Sequence, residues 1–217
     1  MGMVRFDAYT LLLQGDGLFD FLDGLSTNLV SQSCTTVFTD RTAKIIDVCE
    51  IIAIDSRVAL VGYAPNKENV VHHLSERLLG RPITITDISH LNHVYIGTGD
   101  DETPENATVH HSHFGILYVV STTSDYTASW DMDSWNEHRI EHCIPFHGHE
   151  ITSRVHPLAC GLGDLVHPNK GCYIGQEILT RMRSRGKQGH RLEVRDNPTD
   201  NVTTLGSTRS LCIVRDQ

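Results

Sequence analysis

The residues best equipped for chemistry form one short run, Lys170-Gly171-Cys172-Tyr173-Ile174-Gly175-Gln176-Glu177. A cysteine stands between two glycines, with a lysine two residues before it and a helix-compatible stretch beginning near Gln176. Glycines at 171 and 175 let the backbone turn sharply and approach a ligand or another strand. A thiol beside an ammonium and ahead of a helix N-terminus is in an electropositive setting that favours the thiolate. The same spacing also suits a tight turn whose cysteine is packed under Tyr173 and inert. From Lys170 to Arg191 there are six basic residues (170, 181, 183, 185, 187 and 191) and one acid, Glu177, in a chain of net charge −9. Arg181 and Arg185 share a helix face. Such a face suits a carboxylate tail, a phosphate or RNA, or is a solvated basic surface.

Other candidates are weaker. Among fourteen histidines, His110, His111 and His113 with His147 and His149 raise a metal reading, because imidazoles two apart on a strand share a face. No further ligands follow at a recognisable spacing, so no metal site is predicted. The six cysteines (34, 49, 143, 160, 172 and 212) contain no C-x-x-C pair and no clustered spacing for an iron–sulfur centre. They read as reduced thiols of a cytoplasmic protein, most of them buried. Asp100-Asp101-Glu102 reads as a solvated acidic loop.

The elements that must position these residues alternate along the chain. Strands are predicted over 7–13, 35–39, 44–54, 57–63, 83–88, 93–96, 114–121 and 211–214, from β-branched runs bounded by turn residues. Helices are predicted from Leu18, capped by Asp16, and from Pro65 to Leu79, stopped by Gly80. Two more follow, one from Ser134 with Glu137 in a capping box, and one from Gln176. This interleaving gives an α+β class with mixed sheets. A length of 217 residues with 39% hydrophobic content allows one large domain with a real core. No membrane span, secretory signal or disordered bulk is predicted. The acidic balance argues against non-specific nucleic-acid binding over the whole surface.

The run 170–177 resembles the K-G-C-[FYW]-x-G-Q-E signature of the folate-binding YgfZ family, which is related to the aminomethyltransferase of the glycine cleavage system. Supporting stretches come in the family's order: Phe21-Leu22-Asp23-Gly24-Leu25-Ser26-Thr27-Asn28, Arg139-Ile140-Glu141-His142-Cys143-Ile144-Pro145, and His156-Pro157 through Gly161-Leu162. The resemblance spans nearly all of residues 5–192. It implies an α+β body of mixed antiparallel sheets, with two intertwined lobes around a central hole that takes tetrahydrofolate. Residues 1–191 would form this body, with an inserted lobe roughly over 45–96. Residues 192–217 would be a short remnant of the C-terminal barrel, leaving surface that a second chain could cover.

By resemblance, Glu141 holds the pterin, with His167, Tyr173, Gln176, Arg181 and Asp47 on the folate side. Cys172, with Lys170, is the working thiol. The YgfZ branch implies a role in iron–sulfur cluster assembly or repair, with iron–sulfur proteins as clients. The aminomethyltransferase branch implies transfer of a one-carbon unit to tetrahydrofolate. Two departures favour the first branch: Asp47-Val48 replaces an Asp-Asp pair, and Cys172 stands where the transferases carry an acid. His167 replaces a folate-binding arginine. An RNA- or partner-binding module using residues 181–191 is the reading outside the resemblance.

Overall fold

The computed structural model describes residues 2–99, 102–186 and 188–216. Asp100, Asp101 and Lys187, named above for the acidic loop and the basic run, lie outside these.

The N-terminal strands β1 (Met3–Phe6) and β2 (Ala8–Gly15) are separated only by Asp7, where the chain leaves one sheet and joins another. β2 is an inner strand of a five-stranded sheet ordered β3 (Cys34–Thr39), β4 (Ile45–Ile54), β5 (Arg57–Tyr63), β2, β6 (Ile83–Asp87). β1 is an edge of a four-stranded sheet ordered β1, β7 (Asn92–Gly97), β9 (Gly115–Ser121), β8 (Thr108–Ser112). A third sheet, β10 (His190–Asp196), β12 (Arg209–Arg215), β11 (Val202–Leu205), gathers the C-terminal residues. All strand pairings are antiparallel.

Period-2 alternation on β4 divides the core. Val48 and Ile52 face the four-stranded sheet and pack with Val94, Ile96 and Leu117. Cys49 and Ile51 face α1 (Leu18–Asp23) and α2 (Lys67–Ser75), where Leu22, Val70 and Leu74 cover them. Between the two larger sheets, buried rings are packed together. Phe6 lies 5.4 Å from both Phe146 and His147, and Phe114 lies 5.8 Å from His147.

Several boundaries depart from the sequence reading for local reasons. α2 stops at Ser75, because Arg77 Nη1 donates to the His73 carbonyl at 2.7 Å and satisfies that end of the helix. Leu79, predicted inside the helix, falls off the Val70–Leu74 stripe and is 89% exposed. α3 (Met132–His142) is capped by Asp131, whose carboxylate accepts from the Ser134 amide at 2.8 Å, so Ser134 lies inside the first turn rather than at the cap. α1 has Gly17, not Asp16, at its cap, in the left-handed region. β1, β8, β10 and β11 were not predicted. β10 pairs with β12 along its whole length, from His190 to Asp196.

Candidate functional site

The 170–177 run forms a loop that opens into α4 (Gln176–Ser184). Its anchor is Lys170. The side chain is fully buried, and Nζ donates to the carbonyls of Asp23 (2.6 Å), Ser26 (2.8 Å) and Asn28 (2.8 Å) and to Asp23 Oδ1 (2.8 Å). The ammonium also lies 5.6 Å from the Tyr173 ring centroid. Its ammonium is therefore engaged in holding the 23–28 turn, the segment matched to the family's helix end. Tyr173 is buried, and burial pushes its hydroxyl pKa up. Cys172 is exposed, so it is not the packed cysteine of the alternative reading. Cys143 is exposed too and Cys34 half-buried, while Cys49, Cys160 and Cys212 are buried.

Gly175 is the glycine the backbone requires. Its φ is +86°, and a Cβ there would lie 2.8 Å from the Asp40 carbonyl and 3.0 Å from Ala43 Cα. Thr39 Oγ1 donates to the Ile174 carbonyl at 2.5 Å beside it. Gly171 has open space around it and no positive φ. Gln176 Nε2 donates back to the Gly171 carbonyl at 3.4 Å.

The basic run is mostly engaged. Arg181 pairs with Glu177 at 2.8 Å, Arg183 donates to the carbonyls of Val166 and Gly163, and Arg191 pairs with Glu193 and Asp216. His167 is half-buried: its amide donates to the Thr27 carbonyl, and its Nδ1 accepts from the Asn169 amide at 3.2 Å. With Tyr173 and Arg183 it lines a cleft of about 260 Å³.

Glu141 is elsewhere. It is exposed on α3 and lines a cleft of about 420 Å³ with Trp130, Glu137, His138, Thr208 and Arg209. The Trp130 and His138 rings are 5.5 Å apart, and burial together with the neighbouring His142 holds the His138 pKa down. Glu137 accepts from the Ser207 amide at 2.6 Å, which fixes the β11–β12 turn as one wall of the cleft. Aromatic faces, a carboxylate and a guanidinium in one cleft suit a flat heteroaromatic ligand with a donor edge and an anionic end.

Asp47 lies in the core. It is fully buried and accepts from Tyr9 Oη (3.0 Å), the Tyr63 amide (3.1 Å) and Asn66 Nδ2 (2.9 Å). Burial nonetheless pushes its pKa up to about 7, against the lowering effect of those bonds. His147 Nδ1 is 3.4 Å from Asp47 Oδ1 without hydrogen-bond geometry, and burial pushes this imidazole down to about 3. Gly62 makes the arrangement possible, since a Cβ there would strike Asp47 and the Tyr9 ring. Val48, at the position of the missing second carboxylate, is buried between the sheets.

Two buried carboxylates escaped the sequence reading. Glu50 accepts from Thr35 Oγ1 (2.7 Å) and Ser112 Oγ (2.6 Å), with His110 Nε2 at 3.0 Å, and so ties β4 to β8. Glu150 pairs with Arg139 at 2.9 Å, both side chains fully buried. An acid inside an apolar strand was the available signal for Glu50, because a buried charge needs partners. Glu150 sits in an irregular segment and gave no such signal. His110 is thus a core residue, and no group of three or more His, Cys, Asp or Glu arranged to hold a metal ion occurs among the described residues.

The fold and the comparisons agree on a class: this is the fold of the glycine cleavage aminomethyltransferases. The aminomethyltransferase T structure of the glycine cleavage system from Bartonella henselae superposes with a TM-score of 0.76, covering 98% of this chain and 78% of that one at 14% identity. Curated aminomethyltransferases match locally. That of Alkaliphilus oremlandii is 33% identical over 82 residues, and that of Desulforamulus reducens 40% identical over 48. That of Exiguobacterium sibiricum is 33% identical over 48. These segments span 22%, 13% and 13% of the relatives' lengths. No known family's sequence profile matches the chain. No described helix is long and apolar enough to cross a membrane.

Proposed function

We propose that the protein binds a tetrahydrofolate and serves one-carbon transfer of the aminomethyltransferase kind, with the ligand in the α3 cleft. The reading is carried by the superposition over 98% of the chain on an aminomethyltransferase. The cleft fits the ligand's chemistry. A pterin presents parallel N–H donors that one ionised carboxylate accepts as a charge-assisted pair, which is the role of Glu141. The rings of Trp130 and His138 supply flat apolar faces, and Arg209 a cation for a carboxylate tail. When bound, the folate supplies the atoms that carry the one-carbon unit. The residues of this chain bind it and fix its orientation. His167, Tyr173, Gln176 and Arg181 belong to a second face, around α4, and Asp47 lies behind the core wall.

Calorimetric titration with folinic acid tests the binding. Glu141→Ala is expected to weaken it by roughly 1.5–3 kcal/mol, the worth of a hydrogen bond to a charged group. Unchanged affinity in that variant removes Glu141 from the site.

The exposure of Cys172 favours a second reading, a folate-binding accessory protein of the YgfZ kind for iron–sulfur proteins, in which this thiol does the work. The two readings part in a strain lacking the protein. If Cys172→Ala restores cluster-enzyme activity as well as the parent does, the second reading fails. If aminomethyl transfer to tetrahydrofolate is absent from the purified parent, the first fails.

A further inference from the structure

The turn between β3 and β4 is built by Asp40, whose Oδ1 accepts from the amides of Thr42 (2.7 Å) and Lys44 (2.9 Å) and from the Thr42 hydroxyl (2.7 Å). This turn, the C-terminal half of α2 and Ile174 of the 170–177 loop enclose a cleft of about 350 Å³. It shares no lining residue with the α3 cleft. Its apolar part is Ile45, Ile46 and Ile174, and its cations are Arg41, Lys44 and Arg77.

The acids here already have partners. Asp40 is used by the turn, and Glu76 lies 3.3 Å from both Arg77 and His72. Lys44 Nζ reaches the Arg154 carbonyl at 2.6 Å. Arg41 is exposed, and its guanidinium has no partner among the described residues. A second polar group is also unsatisfied: His73 is 5% exposed, lines the cleft, and has a buried Nε2 without any hydrogen-bond partner. Burial and Arg77 hold this imidazole at a pKa of about 4, so it is neutral at pH 7. A buried polar atom without a partner is costly, and an anion seated against α2 would relieve it.

We propose that this cleft binds a small amphipathic carboxylate, its apolar body on Ile45, Ile46 and Ile174 and its charged end on Arg41, beside Lys44 and His73. Three cations against two acids leave one positive charge in excess, which matches a monoanion. A dianion would be repelled by Asp40 and Glu76. The planar fork of an unpaired guanidinium suits a carboxylate in particular. The volume falls at the lower end of small-molecule pockets, the range of a short fatty acid or an aromatic acid.

Octanoate is the probe, titrated into the full chain and followed by calorimetry and by the His73 imidazole nitrogen resonances. Binding is expected, with the His73 resonances moving to saturation and Arg41→Ala weakening the affinity at least tenfold. Arg41 is exposed and unpaired, so its variant should fold as the parent does, and retained folinic acid binding checks this. Octan-1-ol, the neutral counterpart, is expected to bind at least tenfold more weakly than octanoate. Equal binding of the alcohol, an unaffected Arg41→Ala variant or unmoved His73 resonances would each overturn the proposal. So would displacement of octanoate by inorganic phosphate at equal concentration, since that would mark a bare anion site.

Discussion

At the residue scale, Asp47 and His147 set opposite pH dependences in one place. Asp47 titrates near 7 in the folded protein, against an ordinary 3.8 when unfolded. Between those values the folded state keeps a proton the unfolded state has lost, so this group's contribution to stability falls as pH rises. His147 titrates near 3 when folded, against an ordinary 6.5. Between those values the unfolded state holds the extra proton, so its contribution rises with pH. From pH 3.8 to 6.5 the two trends oppose each other. Asp47→Asn removes the falling one and leaves the imidazole's. Urea denaturation at pH 4.5, 5.5 and 6.5 should therefore show the variant's stability climbing more steeply with pH than the parent's. Parallel profiles would mean that Asp47 is ionised in the fold throughout this range. An amide at 47 can keep its oxygen for Tyr9 and the Tyr63 amide only by turning its Nδ2 donors toward Asn66, whose own amide must then turn to accept. The partners, not the residue type, make this carboxylate unusual.

At the element scale, the 170–177 loop is held from both sides by the β3–β4 turn and the 23–28 turn, and only one of its glycines is needed for this. Gly175→Ala places a Cβ against backbone at a left-handed φ, so a loss of about 2–3 kcal/mol is expected from backbone strain and steric conflict together. Gly171→Ala has open space and should lie within about 0.5 kcal/mol of the parent. Chemical denaturation of the pair gives the contrast, and equal losses would contradict the geometry. The sequence showed the glycines but not which one met a neighbour, because the contact is with residues 39–43, far away in the chain. The same limit explains the rest. The β-branched runs of β3, β4, β5 and β9 were legible, since alternation and composition are local. β1, β8, β10 and β11 are short or polar and become strands only through their partners. At the site, the motif was legible as a turn leading into a helix. The burial of Lys170, the core position of Asp47 and the cleft around Glu141 depend on contacts up to 147 residues apart along the chain.

At the scale of the whole molecule, a buried acid is a main tie between the C-terminal sheet and the body, beside the Glu137–Ser207 bond and the packing of Ile213. Glu150 accepts from Arg139 Nη1 (2.9 Å), the Phe146 amide (3.0 Å), Thr203 Oγ1 (2.6 Å) and Thr204 Oγ1 (2.7 Å). Arg139 in turn reaches Thr204 Oγ1 at 2.9 Å and the Ile144 carbonyl at 3.0 Å. β11 is thereby bonded to α3 and to the segment after it, and the β11–β12 turn is held where Thr208 and Arg209 wall the Glu141 cleft. Glu150→Ala leaves Arg139 buried, charged and short of its counter-ion, which costs about 3–5 kcal/mol. The double variant Arg139→Met with Glu150→Leu removes both charges and should lose less than the single variant, because no ion is left unpaired. If the sheet docks through this acid, hydrogen exchange in β10, β11 and β12 should accelerate in Glu150→Ala well before that in β4 and β5. Folinic acid affinity should fall with it, as one wall of the cleft loosens. Uniform acceleration across all three sheets would show instead that the C-terminal residues unfold only with the body, as part of one cooperative unit.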